Sequence, residues 1–414
     1  MKRILYIFLG FVLVACDTHE VTHEFERTFV TSRQYSIYLD TREIRTDIQV
    51  KPPINIDTAF KIVANDRFVF VGEAMKGIHV FEKNTGQPLN FIQINHLRAF
   101  DVVDDMLFSN NFVDLLIIDV ENPSDARILH REKDFFNRFN DSTLNLRTIY
   151  NPLIRSYMYE IGLKVVNLTV TVTHTNPDPD FSEADELYGN FIVTEIPTTI
   201  PHAATFFIFD DMPFAGIINV AGNIYTFGDN NIMRISYSEA DGLRTSQSVI
   251  TIPNYRPNNH LRYKDGMIFI FGRNLQTLFL DYHNILTQNH SSIGWFGSPI
   301  DVVSVREPEN SFVGLNSNHF LVGVTLNIFP NILTPTSMAT SIINVNDTIL
   351  ALGSQLTLHR FFLRDNIRVM ERVGEYPNIS GMAMLRESNT LFVANRNGLF
   401  IYDISDLKNI TLKP

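Results

Sequence analysis

A single cysteine, Cys16, and a single tryptophan, Trp295, stand in 414 residues. One thiol cannot close an intramolecular disulfide, so packing has to hold the chain together even in an oxidising compartment. Basic residues are also short, with 34 Lys and Arg against 45 Asp and Glu, a formal net charge of −11. An acidic surface repels nucleic acid and anionic headgroups, which excludes nucleic acid as a partner and favours a neutral, basic or metal-bridged one. Long apolar runs are missing as well. Ile4–Val14 follows Lys2 and Arg3 and is too short to span a bilayer, so it has the form of a secretory signal. Catalytic and nucleotide motifs are absent: there is no G-x-S-x-G, Walker loop, H-E-x-x-H or G-x-G-x-x-G. The twelve His lack metal-ligand spacing, and Asp178, Asp180, Glu183, Asp185 and Glu186 lack the glycine turn of a calcium loop. The sequence calls for no metal and no cofactor.

The apolar run closes on Leu13-Val14-Ala15-Cys16, which resembles the lipobox of bacterial lipoproteins. That resemblance implies cleavage after residue 15, diacylation of the Cys16 thiol and acylation of the new amine. Residues 1–15 are then the signal peptide, and 16–45 a lipidated N-terminus and tether. The mature chain keeps 32 basic against 45 acidic residues, a net charge near −13. Each buried acyl CH₂ contributes about 0.8 kcal/mol, so several chains hold a protein stably on a membrane. The expected place is the bacterial cell envelope, on the outer membrane or cell surface, with the periplasmic face of the inner membrane as the alternative.

What is abundant is short apolar strands at a fixed spacing. Asn65-Asp66-Arg67 leads into Phe68–Val71, and Gly72 turns toward Gly77–Phe81. Asp104-Asp105 leads into Met106–Phe108 and on to Leu115–Asp119. The pattern resumes at Ala221-Gly222-Asn223 and Lys264-Asp265-Gly266, then at Glu309-Asn310, Val345-Asn346-Asp347 and Glu387-Ser388-Asn389. Apart from one gap, successive starts lie about 36 to 45 residues apart, enough for four short strands and their turns. Ala99–Val103 and Pro299–Val303 read as inner strands, Asn90–Ile94 and Ala126–Leu129 as outer ones. The expectation is an all-β chain, a β-propeller of about seven four-stranded blades over 46–414, with a long insertion, 131–212, after the second repeat. An N-terminal strand near Asp47–Val50 is expected to pair with Asn409–Leu412 and close the ring, since an open edge invites aggregation.

Gly77-Ile78-His79-Val80-Phe81, Asp114–Pro123 and Gly398–Asp406 are similar to the LVIVD repeat of bacterial surface lipoproteins, especially those of Bacteroidetes. The likeness runs over about 60–130 and 215–412. It implies a β-propeller on an extracytoplasmic lipoprotein and lends no catalytic residues. Copies five and six lack the terminal Asp-Asn-Pro turn, which leaves a count of six to eight blades open.

Few residues stand out as site candidates. Asp101 and Asp301 hold the same place in two inner strands and can either face the central channel or bond backbone at strand ends. Trp295-Phe296, between Gly294 and Gly297, reads either as an exposed aromatic platform or as a plug between blades. The insertion combines the alternating Val166–Thr173 with an acidic stretch through Glu186, and reads either as a binding flap or as a decoration. Function is then expected to be non-catalytic binding or scaffolding of a protein or carbohydrate by a membrane-anchored propeller. The alternatives are a propeller-type hydrolase or lyase acting on polysaccharide or peptide, and a surface adhesin using the insertion.

Overall fold

The computed structural model describes residues 23–138, 148–153, 155–176, 205–208, 216–228, 231–245, 250–251, 257–264, 267–272, 276–281, 290–294, 299–305, 311–316, 318–325, 328–336, 338–364 and 367–413. Two compact units divide the chain: 1–38 with 160–210, and 39–159 with 211–414. Two long strands, His23–Asp40 and Ser156–Asn176, with most of their residues in the first unit, pair with one another, and Thr205–Ile208 pairs with the second of them. Much of the segment expected as a tether is therefore strand. The alternation over Val166–Thr173 lies inside the second long strand, as its Val/Thr pattern predicts.

The second unit holds seven successive antiparallel sheets among the described residues, in blades 59–93, 100–132, 216–245, 257–294, 299–335, 341–376 and 383–412. Each runs outward by hairpins from an innermost first strand. Those first strands touch one another in cyclic order, and Ala383–Glu387 of blade 7 touches Ala59–Ala64 of blade 1. Seven sheets whose inner strands close a circle are a seven-bladed β-propeller. The chain leaves blade 2 at Glu132 and enters blade 3 at Gly216, so Arg131 and Glu132 still belong to the blade.

Turn chemistry explains why the strands reverse where they do. The first hairpin of a blade turns through residues with positive φ: Asp104 at 51°, Ala221 and Gly222 at 49° and 80°, Asn346 and Asp347 at 49° and 61°. Asn, Asp and Gly bear that conformation at least cost. Blade 1 uses the Asn65 side chain, whose Oδ1 accepts the amides of Arg67 and Phe68 at 3.0 and 2.7 Å. The second hairpin needs Gly77 at φ 153°, where a Cβ would meet the Ile92 carbonyl at 2.2 Å.

Blade 2 is packed on both faces, which is why its central strands read as unbroken apolar runs. Leu115 and Ile117 face blade 3, against Ile217, Ile224 and Ile235. Leu116 and Ile118, one residue along, face blade 1, against Phe70, Ile78 and Ile92. Equivalent cores lie between blades 5 and 6, 6 and 7, and 7 and 1. A Leu or Ile cut to Ala in such a core costs about 2–5 kcal/mol.

Ring closure differs from the expected exchange of terminal strands. Gln49–Lys51 pairs with Phe91–Gln93, adding a fifth strand outside blade 1, while Thr411–Leu412 pairs within blade 7. Blades 1 and 7 each carry four strands of their own, so neither needs the other's. Apolar packing closes the seam instead: Ile56 is buried with Val69 and Phe81 of blade 1 and Phe392, Leu399 and Ile401 of blade 7. Lys83 adds an ion pair to Glu387 at 2.7 Å.

Candidate functional site in the central cavity

The innermost strands surround a cavity of about 620 Å³ whose polar wall includes Lys61, Asp101, Asn219, Asp301, Asn344 and Arg386. Its apolar wall includes Val63, Ile343, Met384 and Leu385. Asp101 and Asp301 are both there, at 8% and 4% exposure. Each turns one carboxylate oxygen to the amide that follows it, Val102 at 2.9 Å and Val302 at 3.0 Å. The second oxygens go different ways. Asp301 Oδ2 accepts from the Ile342 amide at 2.8 Å and from Ser341 Oγ at 3.3 Å, which ties blade 5 to blade 6. Asp101 Oδ2 accepts from Lys61 Nζ at 2.6 Å.

Lys61 reaches further. Its ammonium also donates to the carbonyls of Phe100 at 2.7 Å and Ile217 at 3.1 Å, and lies 5.6 Å from the centroid of the Phe100 ring. One cation therefore joins blades 1, 2 and 3. Two asparagines repeat a simpler link: Asn219 Nδ2 donates to the Val102 carbonyl at 2.7 Å, and Asn344 Nδ2 to that of Ser304 at 2.8 Å. Arg386 of blade 7 donates to the Asn344 carbonyl at 2.8 Å. Sequence reasoning passed over Lys61, Asn219, Asn344 and Arg386. Ile217-Ile218-Asn219-Val220 and Ile342-Ile343-Asn344-Val345 are nevertheless the same string in equivalent inner strands.

General acid or base catalysis needs a group free to exchange a proton with a substrate. Asp101 and Asp301 instead accept from an ammonium and from backbone amides, so their lone pairs serve the joints between blades. The arrangement offers shape, apolar contact, a few hydroxyl and carboxamide groups, and the charged side chains of Arg386 and Glu387. Among the described residues, no group of three or more His, Cys, Asp and Glu is placed to hold a metal ion. Cys16, Trp295 and Phe296, like the acidic stretch 178–186, lie outside the described residues.

Two further charged clusters lie away from the cavity. Fully buried Asp114 receives Arg45 at 3.1 Å, Arg131 at 3.4 Å and the Asp134 amide at 2.9 Å. Arg45 also meets Asp134 at 3.0 Å, and Tyr159, whose phenol is pushed up by burial, donates to the same carboxylate. In blade 1, fully buried Glu73 takes Lys76 at 2.6 Å and His79 at 2.9 Å. Burial pushes the His79 imidazole down, and Glu73 opposes that shift.

No family model and no curated protein matches this chain. Among solved structures it is similar to the WD40 repeats of RRP9, at 10% identity and a TM-score of 0.46, with 89% of this chain and 98% of that one covered. It is also similar to BamB from Moraxella catarrhalis, at 8% identity and a TM-score of 0.41, covering 86% and 96%. The computationally designed Ika8 protein stands at 10% and 0.42, covering 84% and 97%. The fold assignment rests on the seven sheets and the closed order of their inner strands.

Proposed function

We propose that this chain is a lipid-anchored, extracytoplasmic β-propeller that works by binding, with the mouth of its central cavity as the recognition surface. The observation that carries this reading is the engagement of Asp101 and Asp301 in joints between blades, beside a cavity of about 620 Å³ whose wall combines apolar, carboxamide and charged side chains. Pockets of that size accept one small ligand or one projecting segment of a larger partner. The acidic surface favours a neutral or basic ligand, of protein or carbohydrate chemistry. Anchorage rests on Leu13-Val14-Ala15-Cys16, and among the described residues no helix is long and apolar enough to cross a membrane.

Two measurements test the reading. Metabolic labelling with an alkyne fatty acid is expected to mark the wild-type chain and not Cys16→Ser; equal labelling removes the anchor. A panel of glycans and peptides is then screened by thermal shift against the wild type and Leu385→Trp, which fills part of the cavity. Ligands that stabilise only the wild type support the cavity mouth. Turnover of a glycan or peptide by the purified chain would move the assignment to a hydrolase or lyase.

A further inference from the structure

The seam between blades 7 and 1 carries a second cavity, a groove of about 370 Å³. Its floor is buried and apolar, with Ile56 and Phe81 on one side and Leu399 and Ile401 on the other. The rim is apolar too, yet exposed: Ile54 stands 47% and Leu412 58% open to solvent. Aliphatic side chains gathered around a groove mark an interaction site more than scattered ones do. Pro53 and Pro88 lie on the same rim and bring no amide donor.

Charge narrows the partner. The groove is bordered by Arg396 and Lys413 and, among the described residues, by no Asp or Glu, on a chain whose formal net charge is −11. Lys413 donates to Thr390 Oγ1 at 2.7 Å. Arg396 is exposed and, among the described residues, makes no ion pair or hydrogen bond within the chain. Asp57, the carboxylate whose field it meets, is held by Lys76 at 2.5 Å. The carboxamides of Asn55, Gln87 and Asn397 also border the groove and make no hydrogen bond with other described residues. Each offers a donor and an acceptor, the pair that a peptide unit requires.

We propose that this groove docks an extended peptide segment of a partner protein, seating an aromatic or aliphatic side chain on the apolar floor and a neighbouring carboxylate on Arg396. Aliphatic walls fit the side chain, the carboxamides fit main-chain groups, and the fork of an arginine at the rim fits a carboxylate. The site is separate from the central cavity, and its success or failure leaves the reading of the cavity mouth untouched.

Random dodecapeptides displayed on phage, panned on the wild-type chain and counter-selected on the double variant Arg396→Glu/Leu412→Asp, test the proposal. Both positions are exposed, and unchanged melting of the variant is the control for folding. Retained peptides are expected to share Asp or Glu next to Phe, Leu or Ile. A synthetic copy of that consensus is expected to lose about ten-fold in affinity on Arg396→Glu, the scale of one charge-assisted contact. A consensus without an acidic residue, binding indifferent to Arg396→Glu, or no peptide retained above the double variant would overturn it. Retention of no peptide, with dodecanoate raising the melting temperature of the wild type and not of Arg396→Glu, would assign the groove to an anionic amphiphile instead.

Discussion

Asp101 and Asp301 occupy one sequence position in two blades and solve its burial in two ways. Asp301 accepts from the amides of Val302 and Ile342 and from Ser341 Oγ, fixed dipoles that stabilise its negative charge. Asp101 shares an amide with Asp301's pattern but sets a full cation, Lys61, against its other oxygen. In the first solution the bonds to Ser341 and Ile342 tie blade 5 to blade 6. The second makes three blades depend on a pair whose side chains are only 13% and 11% exposed. A backbone amide cannot leave when the carboxylate is removed, and neither can a lysine already bonded to two carbonyls. The cost of what stays behind differs, because a stranded charge is dearer than a stranded dipole.

That difference sets the largest expected effect. Asp101→Ala takes from the Lys61 ammonium the carboxylate it meets at 2.6 Å, and is expected to cost about 3–5 kcal/mol in urea unfolding. Adding Lys61→Met to Asp101→Asn should recover much of the loss, and a double variant as unstable as Asp101→Ala would break the comparison. Next comes a buried ionisable group that, among the described residues, has no counter-charge. His359 in blade 6 is 1% exposed, touches Thr357 Oγ1 at 3.0 Å, and is pushed down to about 4 by burial, with Arg372 adding to the shift. A lowered folded pKa means that the unfolded chain takes the proton first as pH falls below about 6.5. His359 should therefore cost the fold roughly 3 kcal/mol between pH 6.5 and 4, a loss that His359→Leu removes from the pH profile of melting.

Smaller effects sharpen the dipole side of the comparison. Asp301→Ala strands two amides and should cost about 1–3 kcal/mol, while Asp301→Asn, which keeps one acceptor, should cost less; equal losses would mean that the charge itself is needed. Smallest is the exposed pair between Arg67 and Asp105, which also joins blades 1 and 2, at 2.7 Å. Both side chains are nearly half exposed, and Arg67→Ala is expected to leave the urea midpoint unchanged within measurement. A shift as large as that of Asp301→Ala would show that bridging two blades matters more than burial.

Much of the architecture was legible because it is local. The period of the repeat, the Asn, Asp and Gly turns, and the apolar runs such as Leu115–Ile118 each fix a hairpin within about fifteen residues of chain, and a hairpin repeated at that period is the signature of a propeller blade. The inner placement of Asp101 and Asp301 followed from the same local reading. Partners distant in sequence were another matter. His23–Asp40 finds its pairing strand at Ser156–Asn176, and no period or turn signal announces a match across such a gap. Closure was misjudged for the same reason: Gln49–Lys51 has the pattern of a strand but not the address of its neighbour.

Sequence by itself determined the repeated hairpins and their turns, and held the number of blades to between six and eight, since these depend on φ preferences and on alternation within one hairpin. Tertiary structure alone decided that Ile56 would seal the seam, that Lys61 would reach two carbonyls and a carboxylate in other blades, and that Arg396 would stand beside an apolar groove with, among the described residues, no carboxylate on its rim. The physical reason is range. Steric and hydrogen-bond preferences act over a few residues, whereas desolvation and charge pairing are settled only when the ring brings remote side chains within bonding distance.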